Sequence, residues 1–397
     1  MHSDPLKLLL LNINIHTENS FIKEGYIKIE TGIIVEIGEA GVLSSKEGFE
    51  IFSLPDGATA IPGMIDVHIH GVNGADTMDG SKEALDIMTQ TLPKEGTTSF
   101  LATTMTEKET NIEKALINAA KYMNAHQKPG QAEILGVHLE GPFINRDMAG
   151  AQPIDSIKRP NVDLFKKWQE LSGNSIKLVT LAPELDQNHE LIRYLATHDI
   201  IASVGHSNAT FDQVSTSISA GVQHVTHLYN QMSGFHHREP GIVGAAFLQK
   251  ELMVELIADG VHVSPEAVKI ACNQISDQRI LLITDSMRAK CLKDGQYELG
   301  GQTVTVGNGG AYLNESTLAG SVLKMIDAFK NIQAFTDCSI KSAIKMTSEN
   351  PAKQLNIFDR KGSLEAEKDA DIVILDEELE VYMTICRGRI AYIKQEE

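Results

Sequence analysis

Eight short runs of apolar and β-branched residues recur along the middle of this chain, separated by amphipathic stretches with helical spacing. Strands that alternate with helices in this way predict parallel strands joined by crossover helices, and eight of them predict a (β/α)8 barrel. Two connecting stretches, SKEALDIMTQTLPKEG and FDQVSTSISAG, end at Gly96 and Gly221, as expected of helix C-termini. The predicted strands centre on Ile65, Phe100, Val137, Val179, Val204, Val225, Leu256 and Leu282.

The two ends of the chain have a different pattern, with short β segments in which apolar and polar residues alternate. Near the start these are LKLLLLNINI and GYIKIETGIIVEIG, which Gly25 and Gly32 are expected to break. Near the end they are DADIVILD and EVYMTICRGRIAYI, with Gly388 in a predicted turn. Neither end has enough apolar surface to be stable alone, so the two are expected to form one small β-sandwich domain. The predicted domains are 1–61 with 355–397 for this β domain and 62–354 for the barrel.

The composition excludes several classes of protein. The chain has 53 acidic and 35 basic residues, a formal charge of -18 that opposes general attraction to nucleic acid or to an anionic membrane. An anionic substrate would therefore need a local basic pocket.

No stretch approaches the roughly 18 to 20 apolar residues of a membrane-spanning helix, and the start of the chain is typical of a strand rather than a signal peptide. The four cysteines lack a CxxC spacing, which favours neither disulfides nor a thiolate metal site. We expect a cytoplasmic protein.

Six residues suited to metal binding or proton transfer stand where predicted barrel strands end. In a (β/α)8 barrel these ends form the face that holds the active site. Two of the six are separated by one residue in DVHIH, so on a strand both imidazoles point the same way and could bind one cation. The six are His68, His70, Glu140, His206, His227 and Asp285.

Each of these residues also has a structural interpretation when it is taken alone. The histidine pair could be hydrogen-bonded at a strand end, Glu140 could be a surface turn acid, and Asp285 could cap a helix. The coincidence of all six at strand ends favours a metal site, with Asp285 close enough to take a proton from water. By contrast, His138 and His224 are expected to be structural.

Several motifs occur in an order that is informative: PGMIDVHIHG, HLEGPF, VGHSN, THLYNQM, REPG, ADGVH, TDSM and TLAGS, with DGQYELGGQTV between the last two. Together they resemble the N-acetylglucosamine-6-phosphate deacetylases of the amidohydrolase superfamily over essentially the whole chain. The resemblance implies metal-dependent hydrolysis of the acetamide of N-acetyl-D-glucosamine 6-phosphate to D-glucosamine 6-phosphate and acetate. It implies a role in amino-sugar catabolism and cell-wall sugar recycling.

The resemblance also implies roles for individual residues. Glu140, His206 and His227 would form a metal site, and Asp285 would be the catalytic acid and base. Because His68 and His70 are both present, the chain resembles members with two divalent metal ions per subunit, bridged by Glu140. Nitrogen and carboxylate ligands without thiolate suit zinc, iron(II) or cobalt.

Substrate contacts follow from the same resemblance. Arg238 would reach the phosphate bound in a neighbouring subunit, which implies a homodimer, and His262 is a second candidate for phosphate binding. Many members have His at the position of Gln152 and Ala at that of Gln231, so contacts to the sugar hydroxyls and the phosphate are expected to differ here. The implied contacts are Ala151, Gln152, Asn230, Gln231, Arg238, His262, Leu318, Ala319 and Gly320.

Two other interpretations remain. The first is another amidohydrolase, such as a cyclic-amide hydrolase or a purine deaminase. Glu140 stands where the cyclic-amide enzymes would need a strand-end lysine, which argues against that group. The second is a barrel that has lost catalysis, which the intact set of ligands together with Asp285 disfavours.

Overall fold

The computed structural model describes residues 7–314 and 317–395. Residues 1–6 and 396–397 of the predicted β domain lie outside the described residues. Two sheets of eight strands each organise the fold. None of the helices in the described ranges has both the length and the apolar character that crossing a membrane requires.

The first large sheet is the barrel, and all eight predicted strands are present in it, parallel and in chain order. The last strand is joined to the first because the Asp285 backbone N–H donates to the His68 carbonyl (2.8 Å) and that of His70 donates to Ser286 (2.9 Å). The predicted (β/α)8 barrel is therefore confirmed. Its strands are Met64–Ile69, Thr97–Thr104, Glu133–Glu140, Ile176–Leu181, Ile201–Val204, Val222–Val225, Met253–Leu256 and Ile280–Leu282.

Helices connect these strands, and their ends carry the expected capping residues. The hydroxyls of Ser81 and Thr210 accept hydrogen bonds from first-turn backbone N–H groups. Gly221 follows its helix with φ of 128°, and Gly96, with φ of 80°, ends the 3-10 turn Leu92–Glu95 that extends the helix before it, which confirms both as stops. The helices are Lys82–Thr91, Glu109–Ala125, Val162–Leu171, Glu190–Ala196, Phe211–Ala220, Gly241–Leu248, Pro265–Gln274, Met325–Thr336, Ile340–Ile344 and Asn350–Gln354, the last two joined by a π-helical turn at Lys345–Glu349.

The second large sheet combines strands from both ends of the chain, as expected. It has its own buried apolar core, which includes Leu8, Ile27 and Ile372. Gly388 lies in the last hairpin turn with φ of 72°, as predicted. We propose the domain bounds given above for this sheet and the barrel. In spatial order its strands are Arg389–Ile393, Val381–Cys386, Ile372–Leu375, Thr59–Pro62, Lys7–His16, Phe21–Glu30 and Ile33–Glu39, and Glu50–Ser53 also pairs with Lys7–His16.

Gly25 does not break its strand, so that prediction was wrong. It lies inside Phe21–Glu30, whereas Gly32, with φ of 90°, occupies the turn after that strand. A Cβ atom at Gly25 would be 2.7 Å from Ile15 Cδ1 and 2.8 Å from the Gly38 carbonyl oxygen. Glycine is needed at this position because neighbouring strands pack closely against it.

A small three-stranded sheet follows the eighth barrel strand and covers one side of the barrel mouth. Its strands are Gly295–Leu299, Gln302–Gly307 and Gly310–Tyr312. Apolar side chains of this sheet pack against Met105 and Met287, which places Leu299 beside the cavity described below.

Candidate metal centre and active site

The six predicted site residues lie together at the carboxyl ends of the barrel strands. His68 is on the first strand and Glu140 is the last residue of the third. Three of the others, His206, His227 and Asp285, follow their strands by two or three residues with positive φ (46°, 32° and 48°). Such a backbone is uncommon for residues other than glycine, and its occurrence at three strand ends of one barrel face is typical of a functional site.

Glu140, His206 and His227 form the first group. Glu140 Oε1 lies 3.2 Å from Nε2 of each histidine, and the two Nε2 atoms are 3.1 Å apart. His206 Nδ1 donates to the Met148 carbonyl (2.8 Å), so its Nε2 carries a lone pair that faces the group. Two imidazole nitrogens and a carboxylate oxygen that converge in this way fit a divalent cation.

His68, His70 and Asp285 form the second group. Asp285 Oδ1 is 3.4 Å from His68 Nε2 and 3.3 Å from His70 Nε2. His68 Nε2 has no hydrogen-bond partner although the residue is fully buried, which is costly unless a ligand engages it. Glu140 lies between the two groups, with Oε1 3.4 Å from His68 Nε2 and Oε2 3.3 Å from His70 Nε2. Its two carboxylate oxygens therefore lie within 3.4 Å of histidine nitrogens from both groups.

The electrostatics of the histidines favour positive charge. Burial alone would lower the pKa of His68, but the carboxylates of Asp285, Glu255 and Glu140 raise it well above its usual value. Burial likewise opposes the charged form of His70, and its bonds to Asp285 and Glu140 raise the pKa to about 10. The carboxylates thus stabilise cationic charge on these buried side chains, as a metal centre requires.

The two carboxylates of the site are held ionised. Burial raises the pKa of Glu140, but the contacts with His68, His206 and His227 outweigh burial and hold the pKa well below its usual value. Burial also opposes ionisation of Asp285, and the nearby His68 more than compensates, so the pKa of Asp285 is lowered. Both side chains are therefore anionic near neutral pH, and Asp285 is able to accept a proton.

Two buried carboxylates that support the site were missed by the sequence analysis. Glu255, in the seventh strand, accepts from His68 Nδ1 (2.9 Å) and from the backbone N–H of His227 (3.1 Å). Asp66 accepts from Thr284 Oγ1 (2.6 Å) and from the backbone N–H of His68 (3.2 Å), and burial raises its pKa to about 6. An acidic residue inside an otherwise apolar barrel strand was the available signal in both cases.

The two histidines expected to be structural are buried and hydrogen-bonded. His138 contacts the Val67 carbonyl through Nδ1 (3.2 Å) and Thr180 Oγ1 through Nε2 (2.7 Å). His224 Nε2 lies 3.1 Å from Glu255 Oε1. Neither residue lines the cavity above the metal groups, so the structural interpretation is supported.

A cavity of about 470 Å³ opens above the two groups. Its floor contains five of the six strand-end residues, and His68 lies fully buried beneath it. The wall includes Met105 and Leu299, which were not predicted. Ala319 is fully buried and does not line the cavity. The predicted substrate contacts that do line it are Ala151, Gln152, Asn230, Gln231, His262, Leu318 and Gly320.

Two of these wall residues are held by defined partners. The Gln152 amide donates to Glu140 Oε2 (2.6 Å), and its oxygen accepts from the Thr106 backbone (2.8 Å), so its side chain also orients the bridging carboxylate. His262 Nδ1 donates to Asp259 Oδ2 (2.6 Å). Burial opposes the charged form of His262, but Asp259 raises its pKa, which favours a cationic imidazolium on the cavity wall.

Arg238 lies outside this cavity. It belongs to the segment between the sixth strand and the helix Gly241–Leu248, and it is exposed. Its guanidinium contacts the His237 ring (2.7 Å). A single chain therefore does not bring Arg238 to its own metal groups.

The helix-cap interpretation of Asp285 was wrong. The next helix in the described residues begins at Met325. The Asp285 backbone bonds to His68 and accepts from the Ser321 N–H (2.7 Å), which ties the residue to the barrel and leaves its side chain facing the metal groups and the cavity.

A parallel eight-stranded barrel with two histidine and carboxylate groups at its strand ends defines a class, the metal-binding barrel hydrolases. Consistent with this class, the Amidohydrolase family model matches residues 59–391. The chain belongs to the amidohydrolase family.

Three deacetylases are similar to this chain over nearly its whole length. The chain is 51% identical to the N-acetylglucosamine-6-phosphate deacetylase of Bacillus subtilis (strain 168), over 98% of each chain. The crystal structure of the deacetylase of that name from Thermotoga maritima is 35% identical, with a TM-score of 0.86 over 98% of this chain and 100% of that one. An aspartate-to-alanine mutant of the Mycobacterium smegmatis N-acetyl-D-glucosamine-6-phosphate deacetylase, in complex with N-acetyl-D-glucosamine 6-phosphate, is 27% identical, with a TM-score of 0.90 over 99% and 100% of the two chains.

Proposed function

We propose that this chain is an N-acetylglucosamine-6-phosphate deacetylase, which hydrolyses the acetamide of N-acetyl-D-glucosamine 6-phosphate to D-glucosamine 6-phosphate and acetate. The observation that carries this proposal is the position of Asp285 on the floor of the cavity, 3.3 to 3.4 Å from two histidines that share Glu140 with a second metal group. The 51% identity to the Bacillus subtilis deacetylase gives the substrate.

The proposed cofactor is two divalent ions per subunit, with zinc, iron(II) and cobalt as candidates. Glu140, His206 and His227 would hold one ion, and His68, His70 and Asp285 would hold the other, with Glu140 shared. Divalent ions bound there would supply Lewis acidity, which lowers the pKa of water and polarises a carbonyl group.

Asp285 would carry the proton through the reaction. Its lowered pKa keeps it unprotonated near neutral pH, so it can accept a proton as water attacks the acetyl carbonyl carbon. It then returns that proton to the amide nitrogen as the C–N bond breaks, so the sugar leaves as a neutral amine. The acyl group leaves as acetic acid, which releases the second proton of the water to solvent and becomes acetate. Glu140 is not suited to this role because Gln152 and the histidines occupy its oxygens.

Recognition of the phosphate would fall to cationic side chains, which are needed because the chain as a whole has a charge of -18. His262 offers an imidazolium held by Asp259 on the cavity wall. We propose that Arg238 of a neighbouring subunit supplies the second cation in a homodimer, since its own cavity lies out of reach. Arginine presents a planar set of donors that suits phosphate oxygens.

Metal removal tests this proposal. Dialysis against a chelator should abolish acetate release from N-acetylglucosamine 6-phosphate, and added zinc, iron(II) or cobalt should restore it. Circular dichroism of the metal-free protein separates loss of the metal from loss of the fold. Undiminished activity without metal would contradict the mechanism.

A substrate panel tests the reaction itself. We expect faster turnover of N-acetylglucosamine 6-phosphate than of a cyclic amide, a purine nucleoside or unphosphorylated N-acetylglucosamine. Faster turnover of either ring substrate would favour the other amidohydrolase interpretation, and absence of turnover on every substrate would favour a barrel without catalysis.

A further inference from the structure

We infer that Glu255 is a positioning residue that makes His68 a metal ligand, and that it thereby decides whether this chain binds two metal ions or one. The inference rests on the proposed two-metal site and adds a residue outside its ligand set. Glu255 lies on the seventh strand and is fully buried.

Three contacts define its position. Glu255 Oε2 accepts from His68 Nδ1 (2.9 Å) and from the His227 backbone N–H (3.1 Å), while Oε1 lies 3.1 Å from His224 Nε2. One carboxylate thus touches a histidine from each metal group, and His224 anchors it from behind.

The contact with His68 determines which ring nitrogen is free. A proton on Nδ1 shared with Glu255 leaves a lone pair on Nε2, the atom that lies 3.4 Å from both Glu140 and Asp285. His68 is fully buried, so no solvent could replace Glu255 as the acceptor. A carboxylate behind a ligating histidine fixes the tautomer and the ring orientation and raises the basicity of the ligand.

The other three ligand histidines have no carboxylate on the ring nitrogen that faces away from the metal groups. His206 Nδ1 donates to a neutral carbonyl, that of Met148, and the Nδ1 atoms of His70 and His227 have no hydrogen-bond partner. Among the described residues, His68 is therefore the one ligand histidine with a carboxylate on its outer nitrogen. Loss of Glu255 should weaken the group that contains His68 more than the group that contains His206.

Two substitutions separate charge from shape. In Glu255→Gln the amide oxygen can take the place of Oε2 and the amide N–H can face His224, so the hydrogen bonds remain and the charge is lost. In Glu255→Leu the acceptor is lost as well. Glu133→Gln is the matched control, because Glu133 is also a largely buried strand glutamate but lies at the opposite end of the barrel.

The experiment measures zinc per chain by elemental analysis after dialysis against a series of zinc buffers, with no reference to activity. We expect two ions for the parent and for Glu133→Gln, and one for Glu255→Leu and for His68→Ala. Glu255→Gln should keep both ions, with the Kd of the weaker one raised about 10- to 100-fold. In a His68→Ala background, Glu255→Gln should cause no further change in zinc binding, because its effect passes through His68.

Three results would overturn the inference. The first is parental zinc binding by both Glu255 variants, and the second is loss of the remaining ion when Glu255→Gln is added to His68→Ala. The third is a parent that binds a single ion, which would refute the two-metal proposal as well and would be visible before any variant is compared. If Glu255→Leu fails to fold by circular dichroism, the near-isosteric Glu255→Gln still decides the outcome.

Discussion

The third barrel strand begins and ends with a glutamate, and each glutamate lies in a cluster of charged side chains. Lysine and arginine surround the first glutamate, and histidines surround the second. Glu133 is the first residue of the strand and Glu140 is the last. Each belongs to a group of three side chains whose ligand atoms lie close enough to hold a metal ion. What differs is the source of the positive charge that surrounds them.

At the beginning of the strand, the chain supplies its own cations. Lys361 is almost fully buried, with Nζ 2.8 Å from Glu133 and 3.1 Å from Asp369, and it also contacts Asp371. Arg360 bonds to Glu133 as well (2.9 Å). These two cations offset most of the negative charge of the three carboxylates, so the cluster does not depend on a metal, and it ties the barrel to the C-terminal segment.

At the end of the strand, histidines take the place of lysine and arginine. Within the described part of the chain, neither Glu140 nor Asp285 has an ion pair with a lysine or an arginine. An imidazole can be a neutral lone-pair donor, whereas an ammonium or guanidinium cannot. The comparison shows that clustered carboxylates alone do not define a metal site, since the partner residues decide whether an external cation is required.

The largest expected effect lies at the mouth of the barrel. Asp285→Asn preserves shape but cannot accept a proton, so we expect kcat to fall by roughly 10² to 10⁴-fold. Metal content and Tm should stay close to parental, because Glu140, His206 and His227 are unchanged and the asparagine amide oxygen can still face the ion that His68 and His70 would hold. Turnover, metal content and melting should be measured on one preparation, and turnover within a few-fold of the parent would refute the proton-carrier role.

The opposite end should show the reverse pattern. Lys361→Met leaves buried carboxylates without their central cation, and breaking a buried ion pair in this way typically costs about 3 to 5 kcal/mol of unfolding free energy. Denaturant unfolding would measure this loss. We expect kcat under folding conditions to change by less than a few-fold. A large drop in kcat with unchanged stability would show that the two clusters are not functionally separate.

The smallest of the three effects concerns a cation at the rim. Arg238→Ala should raise the KM for N-acetylglucosamine 6-phosphate by about 10- to 100-fold, which corresponds to a charge-assisted hydrogen bond of about 1.5 to 3 kcal/mol. The KM for unphosphorylated N-acetylglucosamine should change little, since it makes no such contact. Equal losses on both substrates would instead indicate a defect in folding or assembly.

The local pattern of apolar runs and the polar residues that follow them was sufficient to predict the barrel and the strand-end residues. Each barrel strand is a short apolar run, and the packing of parallel strands requires such runs whatever the rest of the chain does. His68 and His70 share a face because side chains alternate along a strand. Glu140, His206, His227 and Asp285 each stand at or just after the end of an apolar run, which assigns them to one end of the barrel.

Contacts between distant strands were decided only by the tertiary structure. Glu255 is 187 residues from His68, and it reaches that histidine because closure of the barrel leaves only the eighth strand between the seventh and the first. The position of Glu140 between two metal groups, and of Arg238 outside its own cavity, likewise depends on how strands and loops meet in space. The sequence by itself determined which side chains stand at strand ends, because each of them follows a short apolar run of the kind that parallel strands require. Only the folded barrel decided which of them touch, because strand register and closure depend on packing across the whole sheet.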